Sequence, residues 1–191
     1  MRRCGATLIA LLLCGGALPA TGADFSGWSK AMPIIFSGYG QSETLTNFPV
    51  LVNLSTNLTG FDYADFASPT NGTDLRFAAS NQTDELNYEI EKWDTNGTSC
   101  IWVQIPSLAG TDTQIWAFWG YPGASIPACA TNGHTWDANE IGVWHMVQTN
   151  AMDSTSNRFN GTAYGTVTQT ADGMIAGADD FDADNDFIQI P

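Results

Sequence analysis

The sequence predicts an all-β protein: an antiparallel, jelly-roll-like β-sandwich followed by an incomplete second β-sandwich fragment. Three observations lead there. Short apolar, β-branched runs recur between turn residues, and helical periodicity is almost absent. One stretch, residues 86–106 (LNYEIEKWDTNGTSCIWVQIP), has the two-faced alternation of a β-hairpin. Only 14% of residues are charged while 43% are hydrophobic, and Asn, Thr, Ser and Gly are abundant, as suits an extracellular β protein rather than a cytosolic enzyme.

The N-terminus agrees on compartment. Met1-Arg2-Arg3 is a basic start, residues 6–13 are a short apolar core, and residues 18–23 offer small-residue cleavage sites. Residues 1–23 therefore read as a cleaved secretory signal peptide, too short and wrongly flanked for a membrane span. Residues 11–15 resemble a lipoprotein site only loosely, because Leu13 stands where a small residue is needed. The expected location is secreted, cell-surface or periplasmic.

The first strand is expected around Ile34-Ile35-Phe36 and the second over residues 47–54, where Pro49 favours a strand start or an edge. Residues 62–66 suggest a short helical turn or loop. A turn at residues 70–73 leads into a strand over residues 74–78, then the hairpin, then a strand over residues 114–119 closed by Gly120-Tyr121-Pro122. Residues 24–123 make up this first module. Residues 124–135 read as a Pro/Ala/Asn/Gly linker. Residues 136–191 read as the front part of a longer domain, with strands expected at 142–146 and 186–190.

In the hairpin, Asn96-Gly97 signals a two-residue type I′ turn. That turn would set Trp93 opposite Cys100, Glu91 opposite Trp102, Glu89 opposite Gln104, Ile90 opposite Val103 and Tyr88 opposite Ile105. Tyr88, Ile90, Ile101, Val103 and Ile105 then form a core face. Glu89, Glu91, Trp93, Trp102 and Gln104 share the opposite face.

The formal net charge of -14 argues against nucleic acid and anionic membranes as partners. It permits divalent cations, basic partners or neutral glycans. After cleavage Cys100 and Cys129 remain, and an exported chain with two cysteines suggests one disulfide, against the alternative of two free thiols. No cysteine or histidine spacing suggests zinc.

Trp28, Asn47-Phe48-Pro49-Val50-Leu51-Val52, Asp74-Leu75-Arg76-Phe77, Tyr88-Glu89-Ile90-Glu91-Lys92-Trp93, Trp102-Val103-Gln104-Ile105-Pro106 and Gly120-Tyr121-Pro122 occur in one order. In that order they resemble bacterial domain of unknown function 2341, over about residues 24–122. The resemblance implies a β-sandwich module of exported or cell-surface proteins, often joined to laminin-G-like or immunoglobulin-like domains and sometimes to proton-channel proteins of the biopolymer-transport type. It brings no catalytic residues. Phe118-Trp119-Gly120-Tyr121 departs from the family's usual Tyr-Tyr-Gly-Asn. Residues 142–146, 153–155, 177–178, 181–182 and 186–191 resemble the opening of a laminin-G-like, concanavalin A-like sandwich.

Trp93 and Trp102, flanked by Glu89, Glu91 and Gln104, would suit a sugar ring, whose C–H face stacks on an indole while its hydroxyls bond the polar groups. The alternative is that these tryptophans pack beneath a loop or the second block. Glu89 and Glu91 would lie about 6.5–7 Å apart on a regular strand, a separation compatible with inverting glycoside hydrolysis. Solvated glutamates on an exposed strand face are the plainer account. The acidic run over residues 179–186 could hold Ca²⁺ through alternate carboxylates, yet Asn185 stands where an EF-hand needs Gly. An acidic turn between two strands is the plainer account. His145 is expected to pack beside Trp144, and no nucleophile, phosphate-loop or HExxH motif accompanies it. Six Asn-x-Ser/Thr sequons follow from the Asn/Thr-rich composition. The expectation is a non-catalytic module that binds carbohydrate or a surface ligand within a larger adhesin-like or polysaccharide-handling protein. The alternatives are a structural spacer and a hydrolase using Glu89 and Glu91.

Overall fold

The structure, a computed structural model, describes residues 22–171, 173–182 and 184–191. The signal segment with Cys4 and Cys14 falls almost wholly outside them. Six strands build two three-stranded antiparallel sheets. One has the order β1(Lys30–Ile35)-β6(Gln114–Trp119)-β3(Arg76–Ala79), the other β2(Leu45–Leu54)-β5(Ser99–Leu108)-β4(Tyr88–Lys92). The expected sandwich is therefore present. A single 3-10 turn, Tyr63–Asp65, is capped by the Asp62 carboxylate, which accepts the Ala64 N–H at 2.9 Å.

The core lies between the sheets. Along β5 the alternation is plain: Ile101, Val103 and Ile105 are buried, while Trp102 and Gln104 on the other face are partly covered. Tyr88 on β4 is fully buried and donates its hydroxyl to the Leu75 carbonyl at 2.6 Å. Phe61, Phe66, Phe77 and Trp119 fill the same interior. Burying such rings stabilises by roughly 1.5–3 kcal/mol each.

Asp74 ties the sandwich ends together. It is 1% exposed, and its carboxylate accepts the N–H groups of Ala67, Ser68, Gly120 and Tyr121 at 3.0, 3.0, 2.7 and 3.3 Å. On the outer face of the β1-β6-β3 sheet, Phe25 stacks on Phe118 with centroids 4.4 Å apart. Edge strands β1 and β2 carry Pro33 and Pro49 within them.

The hairpin register differs from the expected one. Tyr88 faces Val103, Glu89 faces Trp102, Ile90 faces Ile101, and Lys92 faces Cys100, with a bulge at Glu91. Asn96-Gly97 is not a type I′ turn, and neither residue has positive φ. Instead Asp94 takes the first turn position: its carbonyl accepts the Gly97 N–H at 3.3 Å and its carboxylate the Asn96 N–H at 3.0 Å. Gly97 is required for a close approach, since a Cβ there would stand 2.7 Å from an Asp94 carboxylate oxygen.

Residues 124–135 pack against the sandwich. Arg76, nearly buried, bonds the Ser125 carbonyl, and Cys129 and Ala130 in helix α1(Cys129–Asn132) lie on the core. The expected Cys100–Cys129 disulfide is absent, and both thiols are free. The Cys100 thiol instead donates to the Ile175 carbonyl at 3.4 Å, while Cys129 sits on the core by helix α1. Burial raises the pKa of both thiols.

Beyond residue 136 the expected strand at 142–146 is only an isolated bridge, Trp144 to Asp153. Two strand pairs follow: β7(Thr162–Tyr164) with β10(Phe187–Gln189), and β8(Thr168–Thr170) with β9(Ala178–Asp180). Of these, only β10 coincides with an expected strand.

Candidate functional site

The outer face of the β2-β5-β4 sheet carries the polar and aromatic residues singled out by the sequence. The bulge at Glu91 shifts the parity of β4, so Trp93 does not stay on that face. Its ring meets Tyr63 and Phe66 edge-on at 5.2 and 5.1 Å, and its Nε1 donates to the Pro69 carbonyl at 2.7 Å. Gly72 makes room for it: φ there is +62°, and a Cβ would stand 2.6 Å from the indole. The expected flat pair of Trp93 and Trp102 therefore does not form.

The remaining face is roofed by residues 136–154. His145 is wedged between the two glutamates, with Nδ1 3.1 Å from Glu91 Oε2 and Nε2 3.4 Å from Glu89 Oε1. Trp136 Nε1 donates to Glu89 Oε2 at 2.7 Å, and Ser154 Oγ to Glu89 Oε1 at 2.6 Å. Trp102 Nε1 donates to Glu91 Oε2 at 2.6 Å. The imidazole stacks near the Trp102 ring at 6.2 Å and an interplanar angle of 22°, while Trp136 leans on both. His145 thus contacts this face, and it lines the cleft beside Trp144.

Charge explains the arrangement. Burial disfavours the imidazolium, but the carboxylates of Glu89 and Glu91 outweigh it and lift the His145 pKa to about 9. Burial likewise pushes the Glu91 carboxyl up, but the His145 and Trp102 donors hold it below its ordinary value. Glu91 is 3% exposed and Glu89 17%. At neutral pH the cluster is one cation between two anions, each fitted with charge-assisted hydrogen bonds.

Asp153 builds the loop that delivers Ser154. Its carboxylate accepts the N–H groups of Val143, Thr155 and Phe159 at 3.0, 2.9 and 2.8 Å and the Thr155 hydroxyl at 2.9 Å. The Ser154 N–H donates to the Val143 carbonyl at 2.8 Å, which ties the His145 and Ser154 stretches together. Gln104 stands aside and accepts the Asn87 side-chain amide at 3.1 Å. The Asp94 carboxylate is spent on its turn and on Lys92, 3.3 Å away.

Two cavities flank the cluster. One, about 170 Å³, is lined by Glu89, Glu91, His145, Met146, Met152 and Ser154 among others. The other, about 360 Å³, is walled by Trp102, Trp136 and Trp144 with Glu91 and His145 beside them. In the acidic run, Asp186 accepts the N–H groups of Thr166 and Asp182 at 2.7 and 3.1 Å. Among the described residues no group of three or more His, Cys, Asp or Glu side chains is placed to hold a metal ion. No helix among them is long and apolar enough to cross a membrane.

Trp136, His145 and Ser154 are the site residues that the sequence did not connect to the hairpin. Two carboxylates on one strand face did call for donors, but their source lies some 50 residues on.

The fold and face define a class: an all-β sandwich whose polar-aromatic sheet face is occupied by the chain's own following segment. Comparison with family models gives the family. The model described as "Domain of unknown function (DUF2341)" matches residues 71–170, and the chain belongs to that family. The match runs through residues 124–135 and includes Trp136, His145 and Ser154 along with Glu89 and Glu91. Neither the curated proteins nor the solved structures gave a match.

Proposed function

We propose that the chain is a non-catalytic module of a larger exported, cell-surface or polysaccharide-handling protein. Its Glu/Trp sheet face is the dock that fixes the segment following the sandwich. The observation that carries this reading is that both glutamates are bonded, Glu89 by Trp136, His145 and Ser154 and Glu91 by Trp102 and His145. Such a dock turns a chain of domains into a rod of fixed geometry, which suits a spacer in an envelope assembly. Residues 136–191 contribute two antiparallel strand pairs. Hydrolysis by Glu89 and Glu91 is disfavoured on the same ground. A glycosidase needs one carboxyl that keeps a transferable proton and another that reaches substrate or water, whereas Glu91 is buried and held ionised.

Limited proteolysis of the mature chain and of Glu91→Ala at pH 7 tests the dock. The variant should be cut within residues 136–160 at least about tenfold faster, since a lost interaction of ~1.4 kcal/mol raises the open population tenfold. The sandwich should survive as a resistant fragment. Equal cleavage rates would overturn the reading. Carbohydrate binding is the second reading, and the indole-walled cleft that the docked segment leaves beside Trp102 favours it.

A further inference from the structure

Trp102 and Trp136 meet at 54° with centroids 5.6 Å apart, and Trp144 adds a third indole to the same cleft. The walls are angled, unlike a flat platform. The volume, about 360 Å³, falls in the range of small-ligand sites, about 300–1,000 Å³. We propose that this cleft is a subsite for one neutral pyranose ring of a glycan, an inference that rests on the carbohydrate reading and moves it from the strand face into the cleft.

The polar groups lining the cleft select the ligand class. The His145 side chain is nine-tenths buried, and its Nε2 has no hydrogen-bond partner, only the 3.4 Å approach to Glu89. That nitrogen is closed to solvent and faces Glu89, which lines the smaller cavity. Glu91 receives Trp102 and His145 on Oε2, and neither engages Oε1. Glu91 lines the cleft, and a carboxylate oxygen there matches a hydroxyl, which donates to it. An anionic sugar would face two carboxylates against one imidazolium on a chain of net charge -14. A cation would meet the imidazolium itself, with the Glu91 charge already compensated. A neutral ring with apolar C–H faces and equatorial hydroxyls fits both the walls and the polar groups. Met174, fully exposed, stands at the rim.

The test titrates the mature chain with cellohexaose, xylohexaose and mannohexaose by tryptophan fluorescence and calorimetry. Oligogalacturonate and trimethyllysine serve as anionic and cationic controls. At least one neutral oligosaccharide should bind saturably, and Trp144→Ala should weaken it by about tenfold or more. Met174→Arg, at an exposed rim position, narrows the mouth without touching the fold and should produce a similar loss. Neutral-sugar binding that both variants leave unchanged would overturn the cleft while keeping the carbohydrate reading. Binding of a charged control alone would overturn the pyranose assignment and that reading together. So would silence toward every probe from a sample with an intact cooperative melt.

Discussion

Removing the His145 side chain isolates the charge cluster that joins the two parts of the chain. In His145→Ala the carboxylates of Glu89 and Glu91 stay covered but lose their shared cation. The imidazole titrates at about 9 in the folded chain against 6.5 ordinarily. At ~1.4 kcal/mol per tenfold change in proton affinity, that difference stabilises the folded state by about 3 kcal/mol. The value sits at the lower end of the roughly 3–5 kcal/mol expected for breaking a buried ion pair. The low end is reasonable because Trp102, Trp136 and Ser154 still donate to the glutamates. The sign is set by the raised folded pKa: the contribution is fully present below about pH 6.5 and is lost as pH rises through about 9. Glu91, whose pKa is lowered, contributes above its ordinary value of 4.5, and that part is lost as pH falls further. Urea unfolding followed by the tryptophans at pH 6 and pH 10 reads the histidine contribution, since that of Glu91 is present at both. The variant should be less stable by about 3 kcal/mol at pH 6 and within about 1 kcal/mol of wild type at pH 10. A gap of equal size at both pH values would mean that lost packing, not charge, was responsible, and the argument would fail.

Trp93→Ala should cost about 3–5 kcal/mol in chemical denaturation, because the ring packs on Tyr63 and Phe66. It should leave the affinity for any glycan unchanged, in contrast to Trp144→Ala. Asp74→Ala strands four backbone N–H groups of two loops. A loss of about 3 kcal/mol or more is expected from hydrogen bonds to a charged acceptor worth roughly 1.5–3 kcal/mol each and not additive. A midpoint within about 0.5 kcal/mol of wild type would contradict the role given to that carboxylate.

The sandwich was legible because alternation survives errors of register. Tyr88, Ile101, Val103 and Ile105 are buried as expected, although Tyr88, Ile101 and Val103 face different partners from those expected. A shift of two residues along a strand preserves its faces. What failed was the parity of one residue. The turn at Asp94 set the pairing, and the bulge at Glu91 then sent Trp93 inward. The competing signal was present: Asp favours the first position of a type I turn and Gly the fourth, and Asp94-Thr95-Asn96-Gly97 offers both. The Asn-Gly pair drew attention to the wrong two residues. That the tryptophans pack beneath a loop or the second block was one of the two readings the sequence offered, but the residues that form the roof over the glutamates were not legible. Nothing local to His145 or Ser154 points to β4, because that contact joins parts of the chain about 55–65 residues apart. The short strands β7, β8 and β9 lie in polar segments whose residues resemble loops.

Pro33 and Pro49 have a consequence for how copies of the chain meet one another. Each lies in a strand with one open side, where a ladder of free N–H groups would invite a neighbouring copy to add its own strand. A proline has no N–H to offer, so the ladder has a missing rung about midway along each edge. A protein that folds among many identical chains is most at risk of such mispairing. The interrupted edges let the sandwich close on itself before its neighbours can join it.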